Sequence, residues 1–165
     1  MIASVTVTYH PDLAALQRQL DSVAAQVRTM VVVDNGSPAP VLAALRALCT
    51  KMGARLLPLP TNQGIGAAQN AGIAQARQLG AQWVLLLDQD SIATPHMVDT
   101  LHAALQAQPR AAAAGPSSID QRTGTHSFFV TDPGMWPRRW QPQPGMPHAP
   151  IEVGFLIASG TLLRC

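Results

Sequence analysis

Along the chain, short apolar runs alternate with longer segments whose apolar positions keep a helical period. Ile2 to Tyr9 is rich in β-branched residues and predicts a strand, closed by His10-Pro11-Asp12. Asp12 suits the cap of a helix whose apolar positions are Leu13, Leu16, Leu20 and Val23. Met30-Val31-Val32-Val33 is a continuous apolar run of the kind expected for a strand buried on both faces. It ends in the turn signal Asp34-Asn35-Gly36-Ser37-Pro38. A second helix is predicted from about Val41 to Met52, and Arg55 to Leu59 reads as a third strand.

The loop Pro60-Thr61-Asn62-Gln63-Gly64-Ile65-Gly66 opens an alanine-rich helix to about Leu79, with Gly80 as its stop. Trp83-Val84-Leu85-Leu86-Leu87 reads as a fourth buried strand, followed by Asp88-Gln89-Asp90-Ser91. Thr94-Pro95 predicts the start of the next helix, because Thr suits the cap and Pro the first helical position. That helix is expected to end near Gln108-Pro109, and Ala111 to Ala114 reads as a weaker fifth strand. Repeated strand-helix alternation predicts an α/β fold: a mostly parallel central sheet with helices on both faces. From Gly115 to Pro150 the pattern breaks, with Pro133, Pro137, Pro142, Pro144, Pro147 and Pro150 crowded around Trp136 and Trp140. So long an irregular stretch is functional or disordered more often than plain connection.

The length of 165 residues fits one domain, and 47% apolar against 12% charged residues gives it enough material for a core. The formal charge of +2 includes no basic stripe, which argues against nucleic acid as a partner. Two distant cysteines, Cys49 and Cys165, are too few for a disulfide framework or a zinc site and suggest a reducing compartment. The N-terminus has no signal-peptide pattern, and no apolar run approaches the ~20 residues of a membrane span, so a cytoplasmic protein is expected. The chain stops at Thr161-Leu162-Leu163-Arg164-Cys165, just after an apolar run, and this is read as the end of a fragment.

Open parallel sheets bind ligands beyond the carboxyl ends of their strands. Here those ends bring Thr8, Tyr9 and His10 from the first strand, Asp34 from the second, and Asp88 and Asp90 from the fourth. If the segment stays extended, the carboxylates of Asp88 and Asp90 face one site, as residues two apart do. Hard oxygen ligands of this kind suit Mg2+ or Mn2+, with water and a diphosphate completing the shell. The alternative for this pair is a plain turn after a strand. Asp34 either accepts from an N–H of a ligand, as a pyrimidine base offers, or closes an Asx turn with Gly36 and Ser37. The Asn62-x-Gly64-x-Gly66 loop, with Gln69-Asn70-x-Gly72 after it, departs from the dinucleotide fingerprint in its third glycine. It serves either close backbone approach to a ligand or structure alone. His10, His96, His102, His126 and His148 show no metal-ligand spacing, and Ser117, Ser118 and Ser159 have no evident triad partners. Trp136 and Trp140 form either a sugar-stacking platform or a cover over the core.

Four blocks occur in order: Thr6-Val7-Thr8-Tyr9, Val32-Val33-Asp34-Asn35-Gly36-Ser37, Asn62-x-Gly64-Ile65-Gly66-x-x-Gln69-Asn70-x-Gly72, and Leu86-Leu87-Asp88-Gln89-Asp90-Ser91. Together they resemble family 2 glycosyltransferases of the Rossmann-like GT-A fold. The wording of the last block and of Phe155-Leu156-Ile157-Ala158-Ser159-Gly160 is similar to the bacterial rhamnosyltransferase branch. The resemblance implies inverting, metal-dependent sugar transfer from a nucleoside diphosphate, dTDP-rhamnose or a UDP sugar, to a glycan or lipid-linked hydroxyl. It implies that Thr8 and Tyr9 line the nucleotide pocket with their backbone, that Asp34 bonds the base, and that Gly66, Gln69 and Asn70 border base and phosphates. Asp88, with Gln89 beside it, would reach the ribose or sugar side, and Asp90, with Asp88, would hold Mn2+ or Mg2+. Residues 1–114 would be the nucleotide-sugar-binding half, and 115–165, with Ser159 and Gly160, the start of the acceptor side. The catalytic base of such enzymes follows the strand that Ser159-Gly160 resembles, so it is expected beyond Cys165. Loose attachment to the inner membrane face would go with a lipid-linked acceptor.

Three other readings compete. The Asp88-Gln89-Asp90-Ser91 block also resembles the nucleophile motif of haloacid-dehalogenase-type phosphatases, but no Lys follows Lys51. A nucleotide-sugar pyrophosphorylase would need a basic Gly-rich loop where His10-Pro11-Asp12 stands. A non-catalytic nucleotide-binding fragment is the remaining alternative.

Overall fold

A computed structural model describes residues 1–120, 123–131, 136–141 and 149–165. Pro133, Pro142, Pro144, Pro147, Asp132 and His148 lie outside the described residues. The elements run β1 (Ile2–Thr8), α1 (Leu13–Ala24), β2 (Thr29–Asp34), α2 (Ala39–Met52), β3 (Arg55–Pro58), α3 (Ile65–Gln78), β4 (Trp83–Asp88), α4 (Met97–Ala107), β5 (Ala113–Ala114), β6 (Phe129–Thr131), β7 (Arg138–Trp140) and β8 (Leu162–Arg164). The six-stranded sheet has the order β3-β2-β1-β4-β8-β5, with β6 and β7 forming a separate two-stranded ribbon. β3, β2, β1 and β4 pair in parallel, whereas β8 is antiparallel to both β4 and β5.

Burial on both faces explains the continuous apolar strands. Val32, Leu85 and Leu87 face a core built with Leu16, Leu20 and Val23 of α1, Leu45 and Leu48 of α2, and Val98, Leu101 and Leu105 of α4. Val31, Val33, Val84 and Leu86 face the opposite side, where Ala68 and Ala76 of α3 pack. β1 divides its side chains by parity: Ala3, Val5 and Val7 join the α3 side, while Ser4, Thr6 and Thr8 are buried on the other. Thr6 Oγ1 donates to Gln19 Oε1 on α1 at 3.3 Å, and Thr8 Oγ1 to the Val33 carbonyl at 3.3 Å.

Helix ends show where local signals hold. Asp12 caps α1 as expected, its Oδ1 accepting from Ala14 N at 2.8 Å and Ala15 N at 3.0 Å. Those N–H groups, Ala15 foremost, hold its carboxyl below the usual range. α2 begins at Ala39, earlier than the apolar period indicates, with Pro38 at the cap and Pro40 within the first positions. α4 corrects the expected start at Thr94-Pro95. Its cap is His96 in a left-handed conformation (φ 63°), and the Thr94 carbonyl accepts from Met97 N at 3.2 Å and Gln26 Nε2 at 3.1 Å. Thr94 and Pro95 therefore form a turn anchored to Gln26, just past the end of α1, and the helix begins after it. β8, just after Ser159-Gly160 where the family resemblance implies a strand, is an interior strand antiparallel to both neighbours. Arg164 explains part of its placement, since its guanidinium lies 4.4 Å over the Trp83 ring and donates to the Leu105 carbonyl at 2.8 Å.

The chain moves from β1 through β2 to β3 on one side, then crosses to β4 on the other side of β1. Such a reversal leaves a crevice at the carboxyl ends of the two strands flanking it. The two cysteines are free; burial pushes the Cys49 thiol up to about 11. No helix among the described residues is long and apolar enough to cross a membrane.

α3 lies close on the sheet because its contact stripe is small. A Cβ at Gly72 would overlap Val5 Cγ1 and stand 2.8 Å from Val33 Cγ2, two β-branched side chains of central strands. We expect Gly72→Ala to lower the unfolding free energy by about 1–3 kcal/mol, as overpacking does. Gly66→Ala, in open space on the same helix, should stabilise by up to about 1 kcal/mol. Denaturant midpoints of the two variants check the pair, and equal behaviour would contradict the close packing.

Candidate functional site

The crevice is a cleft of about 400 Å³. Val7, Thr8 and Tyr9 form its floor, Asn35, Asn62 and Ile65 one wall, and Asp88, Gln89 and Asp90 the other. Strand register sets this convergence, because Thr8 pairs with Asp34 on one side and Val7 with Asp88 on the other. A smaller depression of about 200 Å³, lined by Arg55, Leu56, Leu57 and Gln75, runs along the edge strand β3 and carries no acidic or nucleophilic group.

Asp88 is the last residue of β4, and Gln89 and Asp90 occupy a turn closed by Ser91 N donating to the Asp88 carbonyl at 3.4 Å. The expected extended Asp-x-Asp geometry is thus replaced by a turn. Its pairing of the carboxylates comes from chain reversal, and both side chains stay exposed at the cleft. Partial burial foremost, then the Asp90 charge, raise the pKa of Asp88. Gln89 is half-buried, with Oε1 accepting from Tyr9 N at 3.1 Å, so it ties the acidic turn to the end of β1. Beyond Tyr9, His10 adopts φ 47° and its N–H donates to Ser37 Oγ at 3.0 Å. The Tyr9 ring is 46% exposed and meets the His10 imidazole edge-on at 4.4 Å.

Asp34 fulfils the Asx-turn alternative with one oxygen only. Oδ2 accepts from Ser37 N at 3.0 Å, whereas the buried Oδ1 has no partner. Its side chain does not line the cleft, whose wall at that point is Asn35. Asn35 is nearly buried and clamps two loops: Nδ2 donates to Asn62 Oδ1 at 3.0 Å and Oδ1 accepts from Gln63 N at 2.9 Å. Asn62 Oδ1 also accepts from Gly64 N at 2.9 Å, just before α3. Gly66 and Asn70 are exposed and Gln69 half-buried on the first turns of α3, outside the cleft lining. Gly64, the helix cap, offers no side chain to the first-turn N–H groups.

Ser159 and Gly160, expected on the acceptor side, lie against β4. Ser159 Oγ accepts from Asp88 N at 3.0 Å, and Gly160 N donates to the Leu86 carbonyl at 2.7 Å. The histidines are dispersed: His102 packs edge-on against Trp83 at 4.8 Å, and His126 lies in an isolated bridge with Ile119. Trp140 tilts against Phe129 at 6.0 Å, while Trp136 is 80% exposed. Asn35, Asn62, Ile65 and Ser91 were missed as site residues. Their signal in the sequence is membership of the four blocks, which does not say what they touch. Among the described residues no group of three or more His, Cys, Asp or Glu could hold a metal, so Asp34 does not join the Asp88–Asp90 pair.

A parallel sheet whose crossover crevice presents two adjacent carboxylates defines an α/β protein with a ligand edge. The chain matches Glycosyl transferase family 2 over residues 4–165 and belongs to that family. It is 28% identical over 162 residues to dTDP-rhamnosyl transferase RfbF of Shigella flexneri. That match covers 98% of this chain and 53% of the relative, so the chain spans about half the length of the curated relative it matches. Among solved structures it is similar to S. aureus TarS in complex with UDP-GlcNAc, with TM-score 0.61, 20% identity, and 79% of this chain and 38% of that one covered. A mannosyltransferase from Pyrobaculum calidifontis in complex with GDP-Man and Mn2+ aligns at TM-score 0.55 and 22% identity, over 74% and 36% of the two chains. Glucosyl-3-phosphoglycerate synthase from Mycobacterium tuberculosis, with Mn2+, UDP and phosphoglyceric acid, aligns at 0.56 and 20% identity over 70% and 42%. These likenesses show the GT-A fold. The phosphatase alternative is disfavoured by position, since the acidic block follows the fourth strand and Lys51 Nζ is engaged with Gln17 Oε1 at 3.3 Å.

The raised pKa of Asp88 has a definite sign. The folded protein holds this proton more tightly than the unfolded chain, so stability falls as pH rises from the unfolded pKa through the folded one. In metal-free protein, Asp90→Asn should move the Asp88 carboxyl midpoint downward, as read by carbon NMR. Asp88→Asn should raise the melting temperature at neutral pH, with the gain vanishing at low pH. An unmoved midpoint would remove the charge coupling.

Proposed function

We propose that the chain forms the donor-binding part of a glycosyltransferase that moves a sugar from a nucleoside diphosphate to an acceptor hydroxyl. The observation that carries this reading is the Asp88–Asp90 turn at the crossover cleft of a chain in this family. The similarity to a dTDP-rhamnosyl transferase supports dTDP-rhamnose as the donor, and solved relatives carrying UDP-GlcNAc and GDP-Man support a nucleotide-sugar donor in general. Inversion, and an acceptor that is a glycan or lipid-linked sugar at the inner membrane face, complete the reading. In it, residues 1–114 hold the donor and 115–165 begin the acceptor side.

Each residue then has a task. The backbone of Thr8 and Tyr9 supports the nucleoside, and Asp34 is assigned to a base N–H, although its buried, unpartnered Oδ1 lies behind the Asn35 wall and is reached only if that wall shifts. Gly66, Gln69 and Asn70 border base and phosphates, where the uncapped α3 N-terminus favours negative charge. Asp88 and Gln89 face the ribose or sugar. Asp90 with Asp88 supplies two hard oxygen donors, which fits Mn2+ or Mg2+ with diphosphate and water completing the coordination. When held there by Asp88 and Asp90, such an ion would supply positive charge to offset the negative charge developing on the leaving diphosphate. Asp88 and Asp90 are the carboxylates lining the cleft and both are used in this way, so removal of the acceptor proton needs a further base.

Calorimetric titration of dTDP, UDP and GDP, with and without Mn2+, tests the proposal. Metal-dependent binding of one pyrimidine nucleotide is expected, weakened at least about tenfold (~1.4 kcal/mol) by Asp90→Asn. Absence of binding by all three, or binding indifferent to metal and to Asp90→Asn, would overturn it.

A further inference from the structure

We infer that Ser159 is a positioning residue of the donor site, holding the Asp88–Ser91 turn from both ends in the shape that binds a metal–nucleotide complex. The inference rests on the donor reading and moves Ser159 from the acceptor side, where its sequence placed it, to the back of the acidic turn. The single hydroxyl of Ser159 accepts from Asp88 N at 3.0 Å and donates to Ser91 Oγ at 2.8 Å. Its partners are the residues that bound Gln89 and Asp90, and they lie 71 and 68 positions away in the chain.

Strand geometry explains why a side chain is needed there. β8 pairs with β4 as far as Leu85–Leu162, and the pairing is extended by Leu86 N donating to the Thr161 carbonyl at 2.9 Å and Gly160 N to the Leu86 carbonyl at 2.7 Å. The N–H of Asp88, two residues beyond Leu86, points to the same side of β4. The incoming chain has turned away by then. Gly160 adopts φ +84°, and a Cβ there would stand 2.8 Å from Pro116 Cγ. Thr161 Oγ1 donates to the Ile157 carbonyl at 2.6 Å, closing the turn that presents Ser159. Ser159 Oγ thus stands where the next strand carbonyl would, and its proton reaches forward to Ser91. Two carboxylates confined to one short turn repel, and a turn fixed at both ends resists their separation.

The test compares Ser159→Ala, Ser159→Thr and Ser91→Ala with the unaltered chain, titrating UDP, dTDP and GDP with and without Mn2+. A merely structural role would lower the melting temperature, by about 2–4 °C for each lost hydrogen bond, without touching metal dependence. The inference expects Ser159→Ala to weaken Mn2+-dependent nucleotide binding at least tenfold while metal-free binding is unchanged. Ser159→Thr, which keeps the hydroxyl, should restore most of it. Ser91→Ala should give a smaller loss, and Ser91→Ala with Ser159→Ala no more than Ser159→Ala alone, as for partners in one network. If Ser159→Ala is too unstable to measure, Ser91→Ala alone decides, and unaltered Mn2+-dependent affinity in it overturns the inference. Equal binding by Ser159→Ala and the unaltered chain would overturn the inference and leave the donor reading standing. Failure of the unaltered chain to bind UDP, dTDP and GDP alike would overturn both.

Discussion

The constraint on which the rest depends is the double parallel pairing of β1. Flanked by β2 and β4 and covered by helices on both faces, it can shift by one residue only by turning every side chain to the wrong core. That register places Asp34 beside Thr8 and Asp88 beside Val7. The acidic residues meet at one edge because apolar strands of matched length end together, and the crossover after β3 leaves that edge uncovered.

What the register brings together is costly. A buried carboxylate oxygen of Asp34 lacks a donor, and Asp88 shares a turn with a second carboxylate. Neither feature helps the chain fold, since unpaired buried acceptors and like charges both destabilise. Sites that conflict with stability inside an otherwise consistent structure are where function is expected. Of the two, the carboxylate pair is the one open to the cleft, where positive charge beside Asp88 and Asp90 would relieve it.

Much of this was legible in the sequence where the cause is local. Continuous valine and leucine runs marked the buried strands, Asp12 marked its cap, and four short blocks marked the cleft edge. Tertiary contacts decided what was misread. Thr94-Pro95 has the form of a helix start, yet the Thr94 carbonyl is taken by Gln26, just past the end of α1, and the helix waits for His96. Asp88-Gln89-Asp90 follows a strand and invites an extended reading, yet it turns, because β4 ends where its antiparallel neighbour departs. The clamp of Asn35 on Asn62 joins residues 27 positions apart, and no local pattern tells which of several Asx residues will meet.

The cleft rim is closed by side chains acting on backbone. Ser37 holds His10 N, Gln89 holds Tyr9 N, Asn35 holds Gln63 N and Ser159 holds Asp88 N, across separations of 27, 80, 28 and 71 residues. Each bond supplies a partner to an amide at or beyond the end of a strand, so the loops need no secondary structure of their own. The loops after β1 and β2, the Asn62 loop and the acidic turn thereby become one connected frame on a sheet that cannot slip. A ligand entering such a frame loses little affinity to loop ordering, because the loops are already ordered by bonds that do not involve it. The acidic turn is the member with opposing internal forces. Its shape therefore depends most on an anchor supplied from far along the chain, which makes the segment beside β8 part of the cleft rim as well as of the sheet.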